Sequence, residues 1–415
     1  MKKVLSILLS VAMIVLCFAA CGKTDGDKSS TGKAANVKVG FIFLHDENST
    51  YDKNFITAAK ESCKKAGVEI LKKTNISETQ ACYDAAAELV DEGCNVIFAD
   101  SFGHEPYVIQ AAKKFPEVQF LHATGTKAHT EGLSNYHNAF ASIYEGRYLA
   151  GVAAGMKLNE MISSGKITAD KAKMGYVGAY TYAEVISGYT SFYLGAKSVC
   201  PSVTMEVTFT GSWYDETAEK EAAQKLINNG CVLISQHADS MGAPTACEAA
   251  GVPNVSYNGS TVSACPNTFI VSSRIDWAPY LEYAIDCVKN GKAIDTDWTG
   301  TLSTGSVVLT DVNTKAAAEG TQAKIDEVKA ELESGKLHVF DTSAFTVTVS
   351  DSKNKNATVD ADGHLTGYKA DIDSDADNTG DTEVVSDGYF HESEKRSAPC
   401  FDVQIDGITL LDTKF

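Results

Sequence analysis

From Val37 onwards, short apolar runs alternate with amphipathic segments along the chain. KVGFIFL (38–44) is rich in β-branched and aromatic residues and predicts a strand, whereas NFITAAKESCKKAG (54–67) has the apolar spacing of a helix that ends at Gly67. The same alternation restarts at KMGYVGAY (173–180). Strands that alternate with helices at this spacing predict parallel sheets with helices on both faces. Two successive series therefore predict an α/β protein with two lobes, each a doubly wound parallel sheet.

The boundaries of this organisation follow from where the pattern restarts and where it stops. Residues 338–415 contain short β-like runs and acidic turns without a convincing helix, which predicts a small β-rich C-terminal extension. Before this extension, we expect the chain to return once to the first lobe and once to the second. In chain order, the predicted parts are a first lobe at 37–165, a second lobe at 166–267, a first-lobe return at 268–292 and a second-lobe return at 293–337.

The N-terminus has the pattern of an export signal. Two lysines precede an apolar stretch from Val4 to Phe18, which predicts a signal peptide at residues 1–20. Cys21 follows two alanines, as at the lipidation site of bacterial lipoproteins; ordinary cleavage with a free Cys21 thiol is the alternative. Residues 21–36 lack aromatic and branched apolar side chains and predict a flexible tether. The expected location is the extracytoplasmic face of the cell membrane, held by a lipid anchor.

The charge of the chain excludes one class of partner. The 415 residues contain 36 Lys and Arg against 54 Asp and Glu, which gives a formal net charge of -18. Such an acidic surface repels phosphate backbones over a Debye length of about 10 Å. A nucleic acid polymer is therefore not an expected partner.

The eleven cysteines do not have the spacing of a metal site. Cys17 falls in the predicted signal and Cys21 is the predicted lipid acceptor, and the others form no CxxC pair and lie at no zinc-finger spacing from His. Several fall on the apolar face of predicted helices, where cysteine packs as a small hydrophobic residue. We predict mostly free, buried thiols at Cys63, Cys82, Cys94, Cys200, Cys231, Cys247, Cys265, Cys287 and Cys400.

Sequence signatures of several common enzyme classes are missing. The chain has no GxSxG elbow, no Walker loop, no GxGxxG after its first strand and no HExxH. His45, His122 and His237 each stand alone at a strand end, where a packing or hydrogen-bonding role is commoner than catalysis. The acidic run from Asp371 to Asp377 imitates a calcium loop, but Ala376 replaces the required glycine and Thr382 the bidentate Glu, so we interpret it as a solvated turn. We expect no catalysis, no cofactor and no metal ion.

Candidate ligand-binding residues cluster in loops that follow predicted strands. In a doubly wound sheet, ligands bind at the carboxyl ends of the strands. The loops supply aromatic rings that can stack on a planar ligand, together with carboxylates and amides that can bind hydroxyl and N–H groups. This combination favours a small, planar, polyhydroxylated ligand. The candidates are Asp46, Tyr51, Phe55, Phe102, Trp213, Asp239 and Asn258, with Asn138 from a neighbouring segment.

Several segments, in their order and spacing, resemble the basic membrane protein family of substrate-binding lipoproteins. The resemblance runs from about Val37 to His338 and implies a type I periplasmic-binding-protein fold that serves an ABC transporter. The matching segments are Ser101-Phe102-Gly103, His122-Ala123-Thr124-Gly125, Tyr144-Glu145-Gly146-Arg147-Tyr148-Leu149-Ala150-Gly151, Gly175-Tyr176-Val177, Glu184-Val185-Ile186, Ser212-Trp213-Tyr214-Asp215, Gln236-His237-Ala238-Asp239-Ser240 and Trp277-Ala278-Pro279-Tyr280.

This resemblance implies uptake of a purine nucleoside or base, held between aromatic residues from opposite lobes and delivered to a membrane permease. Tyr51 or Phe55 would be the aromatic residue of the first lobe, and Trp213 that of the second. Asp239 and Asn258 would be polar anchors in the second lobe.

Two further candidates follow from the resemblance alone. Arg274 matches a position where relatives have a basic or aromatic hinge residue, and Trp277 belongs to a matching segment. Asn258 stands where relatives often have an acid. Because an amide both donates and accepts, the preference for sugar or base stays open.

Three alternative functions stay open. A receptor for a sugar or furanose-like signal would need one aromatic platform and more carboxylates. A nucleoside-cleaving surface enzyme would need an acid/base pair, for which the sequence offers no clear candidate. A ligand-sensing partner of a surface signalling complex would use the same fold without a permease.

Overall fold

The computed structural model describes residues 36–374 and 380–414. The predicted signal peptide, the lipidation site Cys21 and the tether up to residue 35 lie outside the described residues, as does the centre of the acidic run at 375–379. Among the helices in the described ranges, none has both the length and the apolar character needed to cross a membrane.

The first sheet has six strands, and all of its neighbouring strands are parallel. The four residues Val96 to Ala99 of its third strand are all buried, because helices cover both faces. In spatial order the strands are β11-β5-β4-β3-β1-β2. Their bounds are β1 Lys38–Ile42, β2 Glu69–Lys73, β3 Val96–Ala99, β4 Gln119–Ala123, β5 Tyr136–Ala141 and β11 Asp297–Gly300.

The second sheet has seven strands in the order β12-β10-β9-β8-β6-β7-β18. Its pairs are parallel except for β10 with β12. Two largely parallel sheets in one chain confirm the predicted two-lobed α/β class. The bounds are β6 Lys173–Gly178, β7 Thr204–Phe209, β8 Leu233–His237, β9 Asn254–Tyr257, β10 Phe269–Ile275, β12 Val307–Leu309 and β18 Ile408–Leu410.

Local signals in the sequence set several helix ends. The first helix starts after Ser49, whose side chain accepts a hydrogen bond from the N–H of Asp52, and it ends at Gly67 with φ 66°. The helices are α1 Thr50–Ala66, α2 Gln80–Asp91, α3 Glu105–Lys114, α4 Ala128–Glu131, α5 Ile143–Ser163, α6 Ala183–Val199, α7 Glu216–Asn228, α8 Gly242–Ala250, α9 Ala278–Lys289 and α10 Thr321–Glu333.

Helices α5 and α6 pack unusually closely because each presents a glycine to the other. A Cβ atom on Gly151 would lie 2.0 Å from the carbonyl oxygen of Phe192, and one on Gly195 would lie 2.0 Å from that of Tyr148. The glycines of the two helices thus allow their backbones to approach closely.

The chain passes between the sheets after β5, after β10 and after β11. Strand β10, which we assigned to the first lobe, pairs with β9 in the second sheet. Strand β11, which we assigned to the second lobe, pairs with β5 in the first. These two assignments are corrected. The hydrophobic pattern predicts that a strand exists, but its sheet depends on which neighbour satisfies its backbone hydrogen bonds.

Residues 338–374 and 380–414 form an extension whose buried apolar side chains belong to the same hydrophobic core as those of the lobes, and the rings of Phe340 and Phe401 stack there at 4.1 Å. Its last strand, β18, adds to the edge of the second sheet, where Ile408 lies opposite Met205. On the first lobe, the N–H of Ser397 donates to the Asp297 carboxylate at 2.7 Å. The extension therefore contacts both lobes. Its other strands are β13 Ala357–Val359, β14 Leu365–Ala370, β15 Thr382–Glu383, β16 Val385–Ser386 and β17 Tyr389–Phe390.

The nine cysteines of the described residues are all free and buried, which confirms the prediction. Burial raises the pKa of Cys63 and Cys94 to about 11. A raised thiol pKa lowers the reactive thiolate fraction, so these side chains act as packing groups.

Candidate functional site

A cavity lies between the two lobes, at the carboxyl ends of both sheets. Residues from β-strand ends and from the first turns of helices form its wall, as expected for a doubly wound sheet. Its volume is about 20 Å³. Its lining residues are Leu44, His45, Tyr51, Asp52, Ser101, Phe102, Thr124, Glu184, Trp213, His237, Asp239 and Tyr257.

The N-terminal turn of α1 builds one part of the first-lobe wall. The Ser49 hydroxyl donates to the Asp52 carboxylate at 2.6 Å, and the N–H of His45 donates to the other carboxylate oxygen at 2.7 Å. The Tyr51 hydroxyl donates to the carbonyl oxygen of Asp100 at 2.7 Å. These bonds hold a carboxylate and an aromatic ring in fixed positions on the cavity wall.

The loop after β8 builds the opposite wall. The amide of Asn258 donates to the Asp239 carboxylate at 3.1 Å, and the N–H of Asp239 donates to the carbonyl oxygen of Trp213 at 3.0 Å. Asn258 adopts φ 64°, a left-handed conformation that Asn tolerates better than most residues. Glu219 accepts from the N–H of Ser240 at 3.3 Å and so fixes the same loop from behind.

Direct hydrogen bonds join the lobes beside the cavity. The backbone N–H of Thr50 donates to the carbonyl oxygen of Asp239 at 3.1 Å. The Asn54 amide donates to the carbonyl oxygen of Asn258 at 2.9 Å. The cleft is therefore closed in this structure.

The cavity is rich in carboxyl groups. Asp52, Glu184 and Asp239 line it, and none of the described lining residues is Lys or Arg. Burial raises the pKa of Asp239 well above its usual range, and the nearby charge of Asp52 adds to the shift. Burial also raises the pKa of Asp52, but hydrogen bonds from His45 and Ser49 outweigh it, so the net pKa is lowered.

His237 is held between the cavity and the core. Its Nε2 lies 3.4 Å from the Glu184 carboxylate and its Nδ1 lies 3.4 Å from the Tyr176 hydroxyl. Burial lowers the pKa of His237 more than Glu184 raises it. A neutral imidazole with one N–H donor is the form that this environment favours.

Aromatic rings come from both lobes. Tyr51 and Phe102 belong to the first lobe, and Trp213 and Tyr257 to the second. The Trp213 ring packs edge-on against Tyr180, with centroids 5.1 Å apart. Such rings offer flat, rigid surfaces to a planar ligand.

The structure brings four of the predicted site residues to the cavity: Tyr51, Phe102, Trp213 and Asp239. Asn258 does not line it but holds the Asp239 carboxylate. Phe55 and Trp277 are each 1% exposed and stack on one another at 4.3 Å inside the core, which corrects their assignment as ligand contacts.

Three other candidates also lie outside the described cavity lining. Asp46 accepts from the N–H of Asn48 at 2.9 Å in the loop after β1. Asn138 is a buried residue of β5, and Arg274 forms an ion pair with Asp276 at 3.6 Å on the second lobe. None of these positions tests the proposed contact with a ligand, so the roles of the three residues stay predictions.

Sequence reasoning did not select several lining residues, including His45, Asp52, Glu184, His237 and Tyr257. Asp52 and Glu184 lie in the first turns of α1 and α6. An acidic residue at this position also stabilises the start of a helix, so the sequence alone does not indicate a role in binding. His237 and Tyr257 are the last residues of β8 and β9. Ligands bind at the carboxyl ends of the strands, so a search that includes the last residue of each strand, as well as the loop after it, would select these two residues.

No cluster of three or more potential metal ligands occurs in residues 36–374 and 380–414. The cavity instead combines hydrogen-bond acceptors with aromatic faces, which suits recognition of a neutral organic ligand with several donors.

Comparison with known proteins identifies the family. Residues 41–337 match the Bmp family model, described as ABC transporter substrate-binding protein PnrA-like. The chain is 30% identical to a purine-binding protein of Brucella abortus over 73% of this chain and 83% of the relative. It is 27% identical to a putative ABC transporter glucose-binding protein of Haloferax volcanii over 78% of each chain. It is 24% identical to an ABC transporter nucleoside-binding protein of Lactococcus lactis over 60% of this chain and 68% of the relative.

A solved structure supports the fold. A solute-binding protein of an ABC transporter system from Conexibacter woesei superposes with a TM-score of 0.59 at 20% identity, over 73% of this chain and 98% of that protein. The C-terminal extension lies beyond the residues that match the family model. The chain belongs to the Bmp family of PnrA-like ABC transporter substrate-binding proteins.

Proposed function

We propose that this protein binds a purine nucleoside in the cleft between its lobes and delivers it to the permease of an ABC importer. The observation that carries the proposal is the cavity lining: aromatic rings from both lobes surround three carboxyl groups, with no Lys or Arg among the described lining residues. Aromatic faces can stack on a purine, and carboxylates can accept from ribose hydroxyls and base N–H groups.

The charge of the lining discriminates between nucleosides and nucleotides. Asp52 and Glu184 would repel a phosphate, and no Lys or Arg among the described lining residues would compensate. A neutral nucleoside or free base avoids this repulsion. Two relatives, named as purine-binding and nucleoside-binding, support the same ligand class.

A sugar is the second candidate. The Haloferax relative is named as a putative glucose-binding protein, and carboxylates flanked by aromatic residues also suit sugar hydroxyls. The two candidates differ in what they require of the second-lobe aromatic surface, since a purine has a flat face to stack and a small sugar has none comparable.

The proposed mechanism is hinge closure. A cavity of about 20 Å³ has room for about one water molecule, so a nucleoside must enter while the lobes are apart. Ligand that contacts both walls then stabilises the closed form in proportion to its preference for that form. The Thr50–Asp239 and Asn54–Asn258 hydrogen bonds belong to the closed form.

Export and anchoring complete the proposal. Substrate-binding proteins of this class work outside the cytoplasm, and we propose that lipidation of Cys21 holds this one at the membrane. Substitution Cys21→Ser should release the protein into the medium and abolish incorporation of labelled fatty acid. An unchanged membrane fraction would contradict the anchor.

A thermal-shift panel tests the ligand class. Adenosine, guanosine, inosine, cytidine, ribose, glucose and guanosine monophosphate are compared on the wild type and on Trp213→Ala. The matched control is Trp298→Phe, which alters a tryptophan of β11 outside the described lining. Purine nucleosides should stabilise the wild type and the control but not Trp213→Ala. Stabilisation by glucose or ribose alone would favour the sugar candidate.

A further inference from the structure

The C-terminal extension forms one wall of a second chamber beside the cavity. This chamber has a volume of about 460 Å³ and shares Phe102, Thr124 and Glu184 with the inner cavity. The extension contributes Asp371 and Arg396, among others, to the opposite side. The ligand cleft therefore continues outwards into a space that the family fold alone does not enclose.

The extension wall is fixed in place by its own hydrogen bonds. The Arg396 guanidinium donates to the carbonyl oxygens of Asp371 and Ile372 at 3.0 Å and of Pro399 at 2.9 Å, so it ties two loops together. The neighbouring N–H of Ser397 donates to Asp297 of the first lobe. A wall braced in this way is preorganised for a ligand.

The volumes indicate that the ligand reaches this wall. Small-molecule sites typically occupy roughly 300–1,000 Å³. The inner cavity, at about 20 Å³, is far below that range, whereas the adjoining chamber, at about 460 Å³, falls within it. With the lobes closed as they are here, the inner cavity cannot hold a whole nucleoside, and the chamber offers the adjoining space for the rest of it.

The chemistry of the chamber selects the part of the ligand that enters it. Among the described lining residues, Glu184, Asp371 and Asp402 bring three carboxyl groups against the one guanidinium of Arg396. Asp402 is exposed to the chamber while one of its oxygens accepts from the Tyr368 hydroxyl. Carboxylates beside one cation bind hydroxyl groups well and repel phosphate.

We propose that the extension forms a subsite for the hydroxyl-bearing sugar end of the bound nucleoside, with Asp402 as an acceptor for a sugar hydroxyl. This inference rests on the proposed function, because it assumes a purine nucleoside in the cleft. It predicts that residues outside the family match determine how strongly the protein prefers a nucleoside to its free base.

The test compares guanosine with guanine by calorimetry on the wild type, Asp402→Asn and Asp362→Asn. The carboxamide in Asp402→Asn can still accept from Tyr368, and Asp362 is an exposed acid of the extension outside the described chamber lining. Asp402→Asn should weaken guanosine binding about tenfold, since hydrogen bonds to charged groups are among the stronger ones. The affinity of Asp402→Asn for guanine should be unchanged. Asp362→Asn should bind both guanosine and guanine as the wild type does.

Equal weakening of guanosine and guanine in Asp402→Asn, or no weakening of either, would overturn the subsite. Wild-type protein that binds none of the purine nucleosides of the thermal-shift panel would instead refute the proposed function itself, and the subsite with it. Hydrogen exchange on the wild type provides a second measurement that needs no folded variant. Residues 396–402 should gain protection with guanosine and not with guanine at matched saturation, and equal protection by both would also overturn the subsite.

Discussion

Thr50 and Asp239 lie on opposite lobes and are joined by two hydrogen bonds across the cleft. The backbone N–H and the side-chain hydroxyl of Thr50 each donate to the carbonyl oxygen of Asp239 at 3.1 Å. The Asp239 carboxyl group lines the cavity, and Thr50 is the first residue of α1. Closure therefore positions a cavity wall and the partly positive end of a helix in one step.

A further hydrogen bond between the lobes, from Asn54 to Asn258, provides the first prediction. Asn54→Ala removes the 2.9 Å bond to the carbonyl oxygen of Asn258 and should shift the protein towards the open form. Nucleoside affinity should fall by roughly fivefold, since one such bond contributes about 1 kcal/mol. Calorimetry measures the affinity, and small-angle scattering measures the increase in radius without ligand.

The matched control for that experiment is Asn290→Ala. The Asn290 amide donates to the carbonyl oxygen of Asp286 within one lobe, at 2.9 Å. It should leave affinity and radius unchanged. Equal losses in both variants would mean that the Asn54 contact has no special part in closure.

The second prediction concerns pH. Burial raises the pKa of Glu219 from its ordinary value of 4.5 to about 7. The folded protein thus keeps this proton up to about pH 7, whereas the unfolded chain loses it near 4.5, so stability must fall as pH rises across that window. Glu219→Gln removes the titration and should flatten the wild-type decline between these pH values in thermal unfolding.

Glu145 should contribute to the loss of stability over the same pH range, because burial also raises its pKa from 4.5 to about 7. Glu145→Gln should flatten the decline by a similar amount, and the double variant by more than either. A decline in Glu219→Gln as steep as in the wild type would show that Glu219 is already ionised in the folded protein.

Much of the fold could be predicted from the sequence, because the spacing of apolar residues distinguishes strands from helices. The site was harder, as the neighbours Tyr51 and Phe55 show. They lie one helical turn apart on α1 with ring centroids 4.9 Å apart, so the sequence cannot say which one faces the cleft. The position of α1 on the sheet decides this and buries Phe55 against Trp277.

The third prediction concerns the buried cation behind the cavity. Arg147 is fully buried, and its guanidinium lies 4.9 Å from the centroid of the Phe192 ring and donates to the Ser235 hydroxyl at 2.7 Å. Arg147→Ala removes both contacts and leaves a cavity, so it should lower the free energy of unfolding by about 3 kcal/mol. Denaturant unfolding measures this. A loss within the error of the measurement would show that the surrounding rings repack.

The fourth prediction concerns the close contact of α5 and α6. Gly195→Ala places a Cβ atom 2.0 Å from the carbonyl oxygen of Tyr148 and should be strongly destabilising, because backbone must move. Gly259→Ala is the matched control, since its Cβ would lie 3.5 Å from Thr50, an ordinary contact. Thermal unfolding should separate the two variants. Similar melting temperatures would contradict the rigid packing of these helices.

Native mass spectrometry of the mature protein with an equimolar mixture of guanosine, adenosine, cytidine, guanosine monophosphate, ribose and glucose tests the central claim most directly. We expect one purine nucleoside to be retained at one molecule per chain, with the nucleotide and the sugars excluded. Retention of a sugar or the nucleotide in place of any purine nucleoside would contradict it.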